Sequence, residues 1–277
     1  MSPLWRDRVT ISLGPTRVHL ARRARGWRPR VVMSHSVDCE PGEGAPSAGT
    51  SSTGAPWQAA VEALGRALGT LAWRDADAFV AVSNHFVRYA LVPEAAKLRN
   101  DVERLAAARH RLHAVYGEHA EHWRIVLSTP GEDGVALAAA IEPELLAGIV
   151  ATLTAVNLRP TRIEPLLVTA FNLCWRSMRT APAWLAVAEP GRVCLAYVER
   201  GAWRGLRSER LRSPLAEALP ELLERSRLAD GIDGATGRVL LVAHEAPIPP
   251  IEFPTDGRWS LEPVALEERP AAASVRQ

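Results

Sequence analysis

AWLAVAEPGRVCLAYVERGAWRGLR, residues 183–207, decides the fold class. It holds three short apolar runs, 184–188, 192–198 and 202–207, parted by Pro190-Gly191 and Arg200-Gly201. Tight turns between such runs predict an antiparallel meander. An apolar helical pattern follows at 214–228, with Leu215, Leu219 and Leu222 on one face, and then strands at 239–243 and 259–263.

Working outward, the same order stands at the start of the chain. Strand-like runs at 9–13, 17–20 and 30–37 are separated by Gly14-Pro15 and Gly26-Trp27. A helix is expected over 57–73, where Val61, Leu64, Leu68 and Leu71 share a face, and strands over 78–82 and 85–91. The long helix of the chain is expected over 97–118, with a buried stripe of Leu98, Val102, Leu105, Leu112 and Val115. Strands at 122–127 and 135–140 flank a Pro-Gly-Glu-Asp-Gly turn. A helix over 143–156 has Pro143 in its first turn, where the missing N–H costs nothing. A strand at 159–163 then leads into a helix over 165–178.

A β-meander, a helix and a strand, given twice, predict an α/β chain of the actin-like (ribonuclease H-like) duplicated fold with an inserted subdomain. The expected division is 1–180 for the first half and 181–277 for the second. The inserted subdomain falls at about 84–156, a flexible loop at 40–56 and a frayed tail from Glu267.

Composition narrows the function. The chain has 277 residues, 47% of them apolar, enough for a sizeable core. Its 33 basic and 31 acidic residues leave a net charge of +2, which gives no overall footprint for nucleic acid or an anionic membrane. Lys97 is the sole lysine, as a GC-rich coding sequence would produce. Cys39, Cys174 and Cys194 are too far apart for a disulfide framework or a zinc motif, so a reducing cytoplasm is expected. Neither a signal peptide nor an apolar run of spanning length is visible.

Three stretches carry a family likeness: "VTISLGPTR" at 9–17, "VAVSNHFVRYALVP" at 80–93, and "IEPLLVTAFN" at 163–172 followed by the 183–201 meander. In element order the chain resembles the PilM and GspL kind of actin-like cytoplasmic protein, which serves type IV pilus and type II secretion assembly. The resemblance implies a non-catalytic scaffold peripheral to the inner membrane. Its partner would be the cytoplasmic tail of a bitopic inner-membrane assembly protein, with an assembly ATPase as a second partner. No contact with nucleic acid and no membrane insertion are implied. GspL continues into a membrane helix and this sequence does not, which favours the PilM-like role.

An active actin-like ATPase needs Asp-x-Gly in its first hairpin, where the carboxylate organises Mg²⁺ and backbone amides approach phosphate. Ser12 stands at the acid position, before Gly14, Thr16 and Arg17, and Pro15 removes an amide donor. That loop reads as a degenerate nucleotide loop. In the second half Glu189 is acidic but stands beside Pro190 in the turn itself, and 240–250, "LLVAHEAPIPP", lacks a Gly-Gly pair. Gly14 and Gly191 are then turn glycines expected at positive φ. No cofactor, no catalytic residue and no metal site are expected. The competing reading is an actin-like or sugar-kinase-like nucleotide-binding enzyme with atypical motifs.

Other constellations are weaker. His110, His113, His119 and His122 cluster near a helix end, where imidazoles favour the dipole and solvent over a metal. Ser83-Asn84-His85 reads as turn chemistry, and Cys174 as a core thiol. Arg88 and Tyr89 are candidate exposed partner-binding residues on their strand. Of nine tryptophans, any that is exposed would mark a binding surface.

Overall fold

The computed structural model describes residues 6–24, 30–39, 55–69, 71–131, 134–232, 237–244, 250–251, 253 and 258–266. The expected loop at 40–56, apart from Ala55 and Pro56, lies outside the described residues, as do the Gly26-Trp27 turn and the tail from Glu267.

The first meander is β1 (Arg8–Leu13), β2 (Arg17–Ala24) and β3 (Arg30–Asp38), followed by α1 (Gln58–Ala67) and β4 (Asp77–Val82). Next come β5 (Arg88–Val92), α2 (Asp101–Tyr116), β6 (Arg124–Leu127), β7 (Ala136–Ile141), α3 (Pro143–Ala155) and β8 (Arg159–Pro165). Helix α4 (Leu166–Thr180) leads to the second meander, β9 (Ala183–Glu189), β10 (Arg192–Glu199) and β11 (Ala202–Arg210). Helix α5 (Leu215–Ala229), β12 (Gly237–Ala243) and β13 (Trp259–Pro263) complete the order.

The duplication is visible in the sheets. One runs β3-β2-β1-β4-β8 and the other β11-β10-β9-β12-β13, so each position of the first has its counterpart in the second. In both, the meander is antiparallel and the later strands are parallel to its first strand. A third sheet, β5-β7-β6, belongs to the insertion.

By contacts the chain forms two compact units, 1–87 with 141–165, and 88–140 with 166–277. They do not follow the division at 180/181 expected from chain order. Strand β5 lies beside β11, so the insertion from Arg88 to Ala140 packs with the second meander.

In the first unit, alternate residues of β1 and β2 (Val9, Ile11, Leu13, Val18, Leu20) are buried. Helix α1 packs against this sheet and against α3, and buries Ala60, Ala63, Leu64 and Ala67. The indole N–H of Trp57 donates to Glu142 Oε2 at 2.5 Å and ties the start of α1 to the start of α3.

In the second unit, every residue of β9 is buried, as a strand covered on both faces requires. Leu219, Leu222 and Leu223 of α5 meet Trp184, Val193, Leu195, Tyr197, Val239 and Trp259 in one core. Helix α4 packs on β9 and β10, and Phe171 stacks on Trp203 at 4.3 Å. Among the described residues no tryptophan is exposed; Trp5 and Trp27 lie outside them.

Strand β13 is clamped to α5 through one carboxylate. Glu224 accepts from Trp259 Nε1 at 2.9 Å and pairs with Arg227 at 3.1 Å and Arg258 at 3.3 Å. Burial pushes this carboxyl up, but the Trp259 N–H and the two guanidinium groups outweigh it, so its pKa lies below the ordinary 4.5. A carboxylate with a depressed folded pKa stabilises above its unfolded value and loses that contribution as pH falls through the folded one. Glu224→Gln is therefore expected to show a smaller drop in urea midpoint between neutral pH and acid below 4.5 than the parent. An unchanged acid limb would count against the clamp.

The long helix departs from expectation. It begins at Asp101 because Asn100 caps it: Asn100 Oδ1 accepts from the Glu103 N–H at 2.9 Å. A short 3₁₀ turn, Ala95–Lys97, precedes it. Its buried face is Ala108 and Leu112, with Val102 at 77%, Leu105 at 36% and Val115 at 72% exposure. A three-stranded sheet covers a narrow stripe, and short alanines at β7 positions Ala136, Ala138 and Ala140 draw the helix in along its own small residues.

Candidate functional site

In the first hairpin, Ser12 is half-buried and lies opposite His19 across β1–β2. The ring of His19 bonds the Ser36 hydroxyl at 2.8 Å, so this face of the sheet carries a polar row. The turn is tied into its neighbours. Gly14 N–H donates to the Arg17 carbonyl at 3.0 Å, and Cys39 N–H donates to the Thr16 carbonyl at 2.8 Å. Arg17 Nε donates to Asp38 Oδ1 at 2.7 Å. The amide and cation that a phosphate would need are thus already engaged.

Gly14 is not among the positive-φ residues, contrary to expectation. The following Pro15 explains this, because a residue before proline is held in the extended region. Gly191, at φ 71°, does occupy the left-handed region that its turn requires.

In the second hairpin Glu189 is 5% exposed and stands directly opposite Arg192, itself 9% exposed. A guanidinium standing across the strand pair from this carboxylate weakens the local attraction for a cation such as Mg²⁺. Burial pushes the Arg192 pKa down, and Nη1 donates to Ser208 Oγ at 2.8 Å. A cavity of about 440 Å³ opens beside the turn, lined by Glu189, Pro190, Gly191, Arg212, Ser213 and Pro214 among others.

Tyr89 belongs to this neighbourhood. It is half-buried, and its phenol pKa is pushed well up by burial and by the nearby Cys194 and Glu189, against a hydrogen bond from the Leu167 backbone. Arg88 is half-buried too, close enough to Arg192 to disfavour its charge. The pair therefore does not stand out in solvent as the strand pattern suggested. The tyrosine joins β5 to α4 and β10 within the second unit.

Sequence reasoning passed over Glu164. Register places Ser12 beside Ala81, and Ala81 beside Glu164, so Ser12 and Glu164 lie on one face two strands apart. Glu164 is 7% exposed and pairs with Arg162 Nε at 2.6 Å. It is the one buried carboxylate of the first unit among the described residues. The signal was a lone acid in the strand run "TRIEP", 161–165.

The remaining candidates are structural. Ser83 and Asn84 are buried at 2% and 0%, and Ser83 N–H donates to the Leu13 carbonyl at 3.0 Å. Burial pushes the Cys174 thiol up to about 11 and Cys194 up to about 12, so neither is a nucleophile near neutral pH. His113 lies 3.6 Å from Glu121, with both side chains half-exposed. Among the described residues no three His, Cys, Asp or Glu side chains converge on a metal position, and no helix is long and apolar enough to cross a membrane.

A doubled meander-helix-strand unit, an insertion after β4 and paired hairpins at corresponding sheet positions define the architecture. A solved protein of unknown function from Bacteroides thetaiotaomicron, described as having an actin-like ATPase fold, superposes with a TM-score of 0.57 at 8% identity, over 87% of this chain and 83% of that one.

The fold is actin-like.

Two other solved structures are informative. The cytoplasmic domain of EpsL, an inner-membrane component of the type II secretion system of Vibrio cholerae, matches with a TM-score of 0.57 at 12% identity, covering 94% of this chain and 90% of that one. A chain of the PilM–PilN type IV pilus biogenesis complex matches at 0.58 and 15% identity, covering 85% and 81%. No family model matches the sequence, and no curated protein matches it.

Proposed function

We propose that this chain is a non-catalytic scaffold of a type IV pilus or type II secretion-like assembly platform, which binds the cytoplasmic tail of an inner-membrane partner. The observation that carries the reading is an actin-like fold whose first hairpin has Ser12 where an acid would stand and whose second has its acid, Glu189, in a Pro-Gly turn across from Arg192. The likeness to EpsL and to PilM–PilN supports the choice of system. On this reading the protein is cytoplasmic and reaches the inner membrane through its partner, with an assembly ATPase as a second contact. Arg88, on the edge strand of the insertion, is the residue retained from the expected recognition pair, while Tyr89 serves as its anchor.

One observation favours a second reading, an actin-like enzyme with atypical motifs. Glu164 places a buried carboxylate in the row of Ser12. Calorimetry separates the two. Titration with peptides matching the cytoplasmic tails of membrane proteins encoded beside this gene is expected to give saturable binding for one of them, weakened by Arg88→Glu. Titration with Mg-ATP is expected to give none. Saturable micromolar Mg-ATP binding that Glu164→Gln abolishes, with no tail bound, would reject the scaffold reading.

A further inference from the structure

One end of the first sheet is rich in arginine. At the end opposite the Gly14 turn, Arg8 of β1 stands directly across from Arg23 of β2, and Arg30 opens β3 beside Ala24. On the other side Arg8 neighbours Asp77, which neighbours Arg159 of β8. Arg22 reaches the carbonyls of Ala72 and Arg74 from the same end, and Arg6 enters it just before β1.

The acids at this end have internal duties. Asp7 accepts from Arg22 at 2.8 Å, Asp77 accepts from Arg159 at 3.0 Å, and Asp75 accepts from the Asn157 amide. Among the described residues seven arginines meet three carboxylates here, an excess of four in a chain whose net charge is +2. Arg6, Arg30 and Arg74 are exposed. Arg8 and Arg23 form a like-charge pair directly across strands, a placement that an approaching anion favours.

We infer that this arginine-rich end of the first sheet apposes the anionic surface of a membrane. Five strands side by side present a front about 19 Å wide, broad enough to meet several lipid headgroups. Single-stranded nucleic acid fits less well, because its binding grooves interleave aromatic rings with cations. Trp73 at this end is only 2% exposed. The contact is electrostatic and inserts nothing. It orients the unit on the surface and adds to whatever hold a partner's tail provides.

Each basic residue close to an anionic surface contributes about fivefold in partitioning. The test is co-sedimentation of the full chain with protein-free vesicles of phosphatidylcholine, with and without phosphatidylglycerol. Wild type is expected to bind the anionic vesicles and not the neutral ones, and to be released by high salt, which shortens the screening length. Arg6→Glu/Arg30→Glu/Arg74→Glu is expected to lose binding by at least about a hundredfold, three such factors together. Arg111→Glu/Arg124→Glu/Arg179→Glu, exposed arginines of the second unit, makes the same change in net charge and is expected to lose far less. Matched thermal midpoints of the three proteins exclude misfolding as the cause. Equal loss in both variants, equal binding to neutral vesicles, or no binding by wild type would overturn the inference. So would tighter, patch-dependent binding of a short DNA duplex. Such vesicles contain no protein tail, so the outcome stands whether or not tail binding is found.

Discussion

Trp184→Ala is expected to destabilise the second unit by about 3–5 kcal/mol, the range for truncating a large buried aromatic. The indole is 1% exposed and sits at the centre of the core beneath α5. It meets the ring of Tyr197, its cross-strand partner, at 5.2 Å and that of Trp259 at 6.3 Å. Its parallel neighbour on β12 is Val239. Removal leaves a cavity between two strands and a helix that cannot all close on it. The loss is read from the urea midpoint at unchanged slope. Trp184→Phe is expected to cost much less. The indole Nε1 has no hydrogen-bond partner among the described residues, so a ring without it leaves no donor unpaired elsewhere. Equal losses for Ala and Phe would show that ring packing is not the source.

Gly237→Ala is expected to release the last strand. Gly237 opens β12 and pairs with Trp259 at the start of β13. A methyl group there would overlap the carbonyl oxygen of Arg258 and crowd the Trp259 backbone. Backbone atoms cannot rotate aside as a long side chain can. The β12–β13 pairing must shift, at about 3 kcal/mol, the upper part of the usual overpacking range. Hydrogen exchange locates the effect. Amides of β13 are expected to lose protection while those of β9 and β10 keep theirs. Retained protection in β13 with an unchanged midpoint would show that the strand tolerates the methyl. The same shift should also weaken the Trp259–Glu224 bond, so the variant tests the clamp from its other side.

Much of the fold was legible because local chemistry and tertiary structure agree. The turns at Pro190-Gly191 and Arg200-Gly201 carry positive φ at both glycines and at Arg200, and they fix the second meander. Pro143 starts α3 as its missing N–H allows. Periodicity favours large side chains, and of the expected α2 stripe Leu112 is buried but Val102, Leu105 and Val115 are exposed. The helix buries Ala108 beside Leu112 against an alanine-lined strand, and the Asn100 cap sets its first turn. Tyr89 is expected, with Arg88, as an exposed recognition residue. Its burial depends on α4 and β10, some eighty and more residues further along the chain.

The candidate site divides in the same way. Ser12, Pro15 and Pro190 are read directly, since a missing carboxylate or amide donor is a property of the residue itself. That Glu189 faces Arg192 follows from a two-residue turn, and is almost local. That Glu164 shares a row with Ser12 is not local at all, because it requires β8 to pair with β4 across the whole insertion.

By itself, then, the sequence determined the doubled meander, the turns and the presence of Ser12 rather than an acid in the first hairpin, all of which rest on neighbours along the chain. Only the tertiary structure decided which strands lie side by side. That pairing brings Glu164 level with Ser12 and gathers at one sheet end arginines that a net charge of +2 conceals, while packing sets the insertion against the second meander. Net charge is a sum over residues, whereas a surface potential depends on where strand pairing puts them.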